Sequence, residues 1–172
     1  MAHIINKIDR ESLKPGDHIY AYRKMHAYSH HGIFIGGDRV IHYTQTQEGL
    51  GSLLTASSSR RANPCPNCGV DSNHVRGVVK SCVDCFLNGH TLRRFQYGVS
   101  DARYLISWPG TCTTDCRDPP DNIISRANDL LNNKDGFGDY HFITNNCEVF
   151  AVFCSTGKRV CFQACSFGFN SA

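Results

Sequence analysis

The sequence predicts an α+β fold: an antiparallel sheet packed on helices, with a four-cysteine zinc-binding insertion. Three observations carry this. Alternating, β-prone runs come first, helical spacing appears only later, and two Cys-x2-Cys pairs lie between them. With 172 residues, 41% hydrophobic and 19% charged, the chain has the size and composition of one core-forming domain spanning residues 1–172. A net charge of +3 with histidines neutral makes no electrostatic case for nucleic acid. The opening MAHIINKIDRESLKPGD lacks the apolar centre of a secretory signal. Nor does the chain contain the run of about 18 apolar residues that a transmembrane segment needs. The expected location is cytoplasmic, where cysteines serve as thiols, metal ligands or nucleophiles rather than disulfides.

The elements follow in order. LKPGDHIYAYR couples a Pro-Gly turn to an alternating stretch, with Ile19 and Ala21 set against Tyr20 and Tyr22, and reads as a strand. In HHGIFIGGDRVIHYTQ two β-prone runs meet at Gly36-Gly37-Asp38, a hairpin signal. The chain turns polar and loop-like after about Gln47. TLRRFQYGVS resumes as a strand. DNIISRANDLLNNK places apolar residues at 123, 124, 127, 130 and 131, one face of a helix. Pro119-Pro120-Asp121 starts it and Gly136 follows its end. NNCEVFAVFCSTG reads as a second helix, capped by Asn145 or Asn146 and stopped near Gly157.

The hairpin carries two histidines of interest. If Gly37-Asp38 is a two-residue loop and pairing continues regularly, Ile33 opposes His42. His31 shares the face of Ile33, so His31 and His42 become diagonal neighbours roughly 7–8 Å apart. His30 is the rival of His31. Cys147 opens the second helix, where unpaired N–H groups and the macrodipole favour an anion and should lower the thiol pKa. An imidazole can take its proton, and a second can orient the first. The alternative is plain packing: cysteine is a frequent core residue, and CEVFAVFC is apolar.

Residues 64–90 form a cysteine-rich unit. Cys65-x2-Cys68 and Cys82-x2-Cys85, thirteen residues apart with tight-turn residues beside them, have the pattern of a four-thiolate zinc site. Zinc there would be structural, since four protein ligands leave no open position, and binding would stabilise a segment poor in apolar residues. A disulfide pair or buried thiols would be the simpler reading, and His74 and His90 are spare ligands. Cys161 and Cys165, near phenylalanines in VCFQACSFGF, suit either packing or lipidation.

At LKPGDHIYAYR, HHGIFIGGDRVIHYT and NNCEVFA, the chain resembles the lecithin:retinol acyltransferase-like domain, a circularly permuted, NlpC-type branch of the papain-like cysteine hydrolases. The matching residues are Gly16-Asp17, His31 with Gly36 and Asp38, Val40-Ile41-His42, and Asn146-Cys147-Glu148. The resemblance is nearest to soluble plant members with a cysteine-rich insertion. It implies a permuted papain-like fold, with Cys147 as nucleophile, His31 as general base and His42 as orienting residue. The implied reaction is thiol-dependent acyl transfer or hydrolysis through a Cys147 thioester. The donor would be a phospholipid or another ester or amide, with peripheral membrane contact left open. A cysteine peptidase or amidase, or a non-catalytic module using the zinc insertion as a surface, are the alternatives. Oligomeric state is not legible.

Overall fold

The Pro15-Gly16-Asp17 turn launches the first strand and buries its acidic residue. Asp17 accepts from the Lys14 N–H at 3.0 Å and pairs with Arg94 and Arg117 at 3.0 and 3.2 Å. From there a computed structural model describes residues 6–23, 28–45, 64–71, 75–133 and 136–160. The elements are β1 (His18–Arg23), β2 (Tyr28–Gly36), β3 (Arg39–Thr44), β4 (Gly77–Cys82), α1 (Val83–Leu87), β5 (Arg93–Arg94), α2 (Asp101–Ile106), α3 (Pro120–Asn132) and α4 (Cys147–Thr156). The strands form one antiparallel sheet in the order β4-β3-β2-β1-β5. The α+β class is as expected. The polar stretch after Gln47, His74, and the tail with Cys161 and Cys165 lie outside the described residues.

The hairpin turns as Gly37-Asp38 requires. Both residues have positive φ, 56° and 63°, and Gly36 pairs with Arg39, the geometry of a two-residue loop matched to strand twist. The regular continuation does not hold. Ile33 faces Ile41, and His42 faces Gly32, because a bulge between Phe34 and Gly36 adds one residue to β2. A slip of one residue moves side chains to the opposite face. The shared face expected for His31 and His42 is therefore corrected: His42 lies on the side of His30.

Two cores result. Ile33, Ile41 and Tyr43 pack against Ile123 and Ala127 of α3 and Val149, Phe150, Ala151 and Cys154 of α4. On the other face Ile19, Phe34 and Val40 meet Val83 and Phe86 of α1, with Leu92. Fully burying side chains of this size stabilises by roughly 1.5–3 kcal/mol each. Helix α3 sits where the periodicity puts it, and α4 where its Asn146 and Gly157 caps put it. The cysteine-rich unit supplies β4, which the sequence reading did not foresee, and TLRRFQYGVS contributes only two ladder residues, paired with Ile19 and Tyr20. Helix α2 is also new; Ser100 caps it, and all its residues are exposed. No described helix is long and apolar enough to cross a membrane.

Candidate active site and metal centre

Cys147 is the first residue of α4. Asn146 precedes it as N-cap, its Oδ1 accepting from the N–H groups of Glu148 and Val149 at 3.0 and 3.1 Å. The helix packs on β2, so Sγ arrives against that strand's main chain. It lies 3.6 Å from the Ser29 carbonyl and within hydrogen-bond reach of the His31 backbone N–H and the Tyr140 hydroxyl. Sγ is thus seated on the peptide groups either side of His30. Cys147 is 4% exposed, and burial pushes its thiol up to about 11; the Glu148 carboxylate adds to this, while the His31 N–H and Tyr140 oppose it. The depressed pKa expected of a helix N-terminus is absent. Asn146 already occupies the Glu148 and Val149 N–H groups, and desolvation outweighs the lowering by the His31 N–H, the Tyr140 hydroxyl and the N–H of Cys147 itself.

The histidines form two separate pairs, one on each face of β2. His30 Nε2 lies 3.0 Å from His42 Nδ1, and His42 Nε2 lies 3.0 Å from Ser81 Oγ, which in turn donates to the Cys82 carbonyl at 3.3 Å. His31 pairs instead with His18: its Nδ1 is 2.8 Å from His18 Nε2, and its Nε2 is 2.8 Å from Ser29 Oγ. His18 Nδ1 then meets the Tyr97 hydroxyl at 2.8 Å. Both ring nitrogens of His31 are therefore engaged. Nδ1 of His30 has no hydrogen-bond partner among the described residues. Burial holds all four rings neutral. It lowers His18 and His42 to about 3, the latter helped by the Arg23 charge, and sets His30 and His31 well below the usual imidazole value.

Sequence reasoning missed His18, Ser29, Ser81 and Tyr140. His18 carried a signal, since it follows Gly16-Asp17 at the head of a strand. Nothing local marked Ser81, which reaches His42 only because β4 pairs with β3.

The four cysteines come together. The sulfurs of Cys65, Cys68, Cys82 and Cys85 all lie within 4.8 Å of one another, with Cys65–Cys82 at 3.9 Å and Cys68–Cys85 at 3.7 Å. Tetrahedral zinc thiolates, with Zn–S about 2.3 Å, set sulfurs about 3.8 Å apart. The cluster is suited to a metal ion and consistent with structural zinc. His90 is exposed and outside it.

Comparison with known proteins agrees with this arrangement. The family model described as lecithin retinol acyltransferase matches residues 11–160. Protein LEAD-SENSITIVE 1 of Arabidopsis thaliana is 46% identical over an alignment of 168 residues that covers 93% of this chain and 64% of that protein. The chain thus spans about 64% of its relative's length. The match takes in the hairpin, the cysteine-rich unit and the helix headed by Cys147, and the chain belongs to the lecithin retinol acyltransferase family.

Proposed function

We propose that this chain is a thiol-dependent acyltransferase or acyl hydrolase, with Cys147 as nucleophile, His30 as general base and His42 as the residue that orients it. The observation carrying this reading is the directed chain His30–His42–Ser81 beside a sulfur seated on the main chain around His30. Ser81 donates to the Cys82 carbonyl, so it accepts from His42 Nε2–H. His42 Nδ1 then accepts from His30 Nε2–H. That tautomer leaves His30 Nδ1 unprotonated and able to take the thiol proton. His31, expected as base, has no free ring nitrogen for the task and becomes a scaffold residue.

The reaction follows. Cys147 attacks the donor carbonyl as its proton passes to His30 Nδ1. The tetrahedral intermediate collapses to a thioester, and His30 returns the proton to the departing alcohol or amine. Water, an alcohol or an amine then attacks the thioester, with His30 as base again. The backbone N–H of Cys147 and the Tyr140 hydroxyl, both within hydrogen-bond reach of Sγ, are the donors we assign to the developing oxyanion. A lipid ester is the donor class we favour. The family supplies the precedent, and α2 exposes Leu105 and Ile106 beside Trp108, an apolar surface of the kind that meets lipid. Zinc is the metal we favour for the four thiolates.

Acyl-enzyme trapping tests this. Incubation with an activated ester or a fluorescent phospholipid, followed by peptide mass spectrometry, should place a hydroxylamine-sensitive acyl group on Cys147. His30→Gln should slow acylation by about 10²-fold or more, the usual loss for a general base. His31→Gln should keep acylation within several-fold of the parent if the variant folds. A folded His30→Gln variant with full activity, beside an inactive His31→Gln, would return the base to His31.

A further inference from the structure

The four-cysteine unit and the histidine pair touch directly. Cys82 ends β4, and the residue before it, Ser81, holds His42 Nε2 at 3.0 Å. Cys85 lies in α1, and the residue after it, Phe86, packs its ring 5.2 Å from His30 and 5.4 Å from His42. Arg23, close enough to Cys147 for their charges to interact, donates to the Phe86 carbonyl and, at 3.0 Å, to the Leu87 carbonyl. Both metal-ligand positions contributed by the second Cys-x2-Cys are thus adjacent in sequence to a residue that holds the histidines.

We infer that the metal-bound cysteine unit is the mount for this histidine pair, with Ser81 and Phe86 as positioning residues placed by Cys82 and Cys85. The inference rests on the roles of His30 and His42 proposed above. Its physical basis is the shortness of α1. Five residues cannot hold a helix by their own hydrogen bonds, because nucleation consumes most of what so few bonds return. Something outside must hold α1, and a metal tying Cys85, at its middle, to Cys65, Cys68 and the N-cap Cys82 would do so. Phe86, 1% exposed, then closes over the imidazoles from that anchored helix. Gly32 shows how tightly: a Cβ there would meet Phe86 Cε2 at 2.9 Å and His42 Cβ at 3.0 Å. The hydrogen-bond chain ends on the carbonyl of Cys82, so a shift of that residue is passed to His42 through Ser81.

Two readouts test this in the full chain loaded with zinc. Long-range proton–nitrogen spectra report each imidazole's tautomer and hydrogen bonding without reference to activity. Removing zinc with a chelator under reducing conditions should shift or broaden the His30 and His42 ring signals while leaving those of His18 and His31 in place. Unchanged His30 and His42 signals in metal-free protein would overturn the proposal. Should metal removal unfold the whole chain, Ser81→Ala decides, because it leaves the four thiols intact. It should retain its zinc, change the His42 ring signal and slow Cys147 acylation about tenfold, the worth of one hydrogen bond. Ser81→Thr, which keeps the hydroxyl, should recover most of the rate. Parent-like ring signals and acylation in Ser81→Ala would overturn the positioning role. If the parent never acylates Cys147, the functional reading fails, while the ring spectra still decide whether the metal unit holds the histidines.

Discussion

Burial decides the resting protonation at this site. With the Cys147 thiol pushed up to about 11 and His30 set well below its usual value, thiol and imidazole are both neutral near pH 7. In the reaction proposed above, proton transfer then accompanies attack instead of preceding it. A raised thiol pKa means less thiolate at any given pH, and the thiolate fraction grows about tenfold per pH unit until the pKa is reached. Limited iodoacetamide treatment at about pH 6 should therefore label exposed Cys116 before Cys147, with Cys147 labelling climbing as the medium becomes alkaline. Peptide mass spectrometry across a pH series reads this directly. Cys147 labelled first at the acidic end would reveal a thiolate–imidazolium pair in the resting protein.

Single elements carry the geometry. Helix α4 delivers Cys147 because Asn146 stops the preceding chain in an extended conformation and satisfies two N–H groups. Asn146→Ala should cost about 1 kcal/mol of stability, and Asn146→Asp much less, because it keeps the accepting oxygen. Urea denaturation of the two variants gives the difference. Strand β2 is set by close approach at Gly32, where a Cβ would also meet Val40 Cγ1 at 2.8 Å. Gly32→Ala overpacks that face and should destabilise by about 1–3 kcal/mol. It should also displace Phe86 and His42, so acylation falls more than fold stability alone would explain. Full acylation with unchanged stability would mean the sheet face has slack that the distances deny.

Across the whole molecule, four neutral histidines, three buried and His30 half-buried, form two networks. Each has a folded-state pKa below the unfolded value near 6.5. Above about pH 6.5 neither state is protonated at these rings, and their neutrality takes nothing from stability. As pH falls toward about 3, the value reached by His18 and His42, the unfolded chain binds protons that the folded chain refuses. Stability therefore falls with pH, by up to about 1.4 kcal/mol per unit for each histidine. Denaturant midpoints measured from about pH 8 down to about pH 4.5 should stay level and then drop steeply below the ordinary imidazole pKa. A level midpoint throughout would show that the rings are solvated or paired with acids.

Local chemistry alone determined several features of this protein. Two Cys-x2-Cys knuckles each gather two thiols within one turn, Gly37-Asp38 supplies the positive φ of a tight turn, and the spacing of Ile123, Ala127 and Leu130 marks a helical face. Asn146-Cys147 likewise announces a capped helix with a thiol at its head. Each of these depends on neighbours within a few residues, so the sequence displays them. The pairing of histidines is different in kind. Side chains alternate every residue along a strand, so the single extra residue at the bulge exchanges His31 for His30 as the partner of His42. The contribution of β4 was hidden because a cysteine-rich segment gives little alternating pattern, and Ser81 meets His42 only across strands far apart in the chain. The thiol pKa followed the same rule: helix position is local and argued for a low value, whereas the desolvation that raised it comes from burial against β2 in the tertiary fold and outweighs the hydrogen bond from Tyr140.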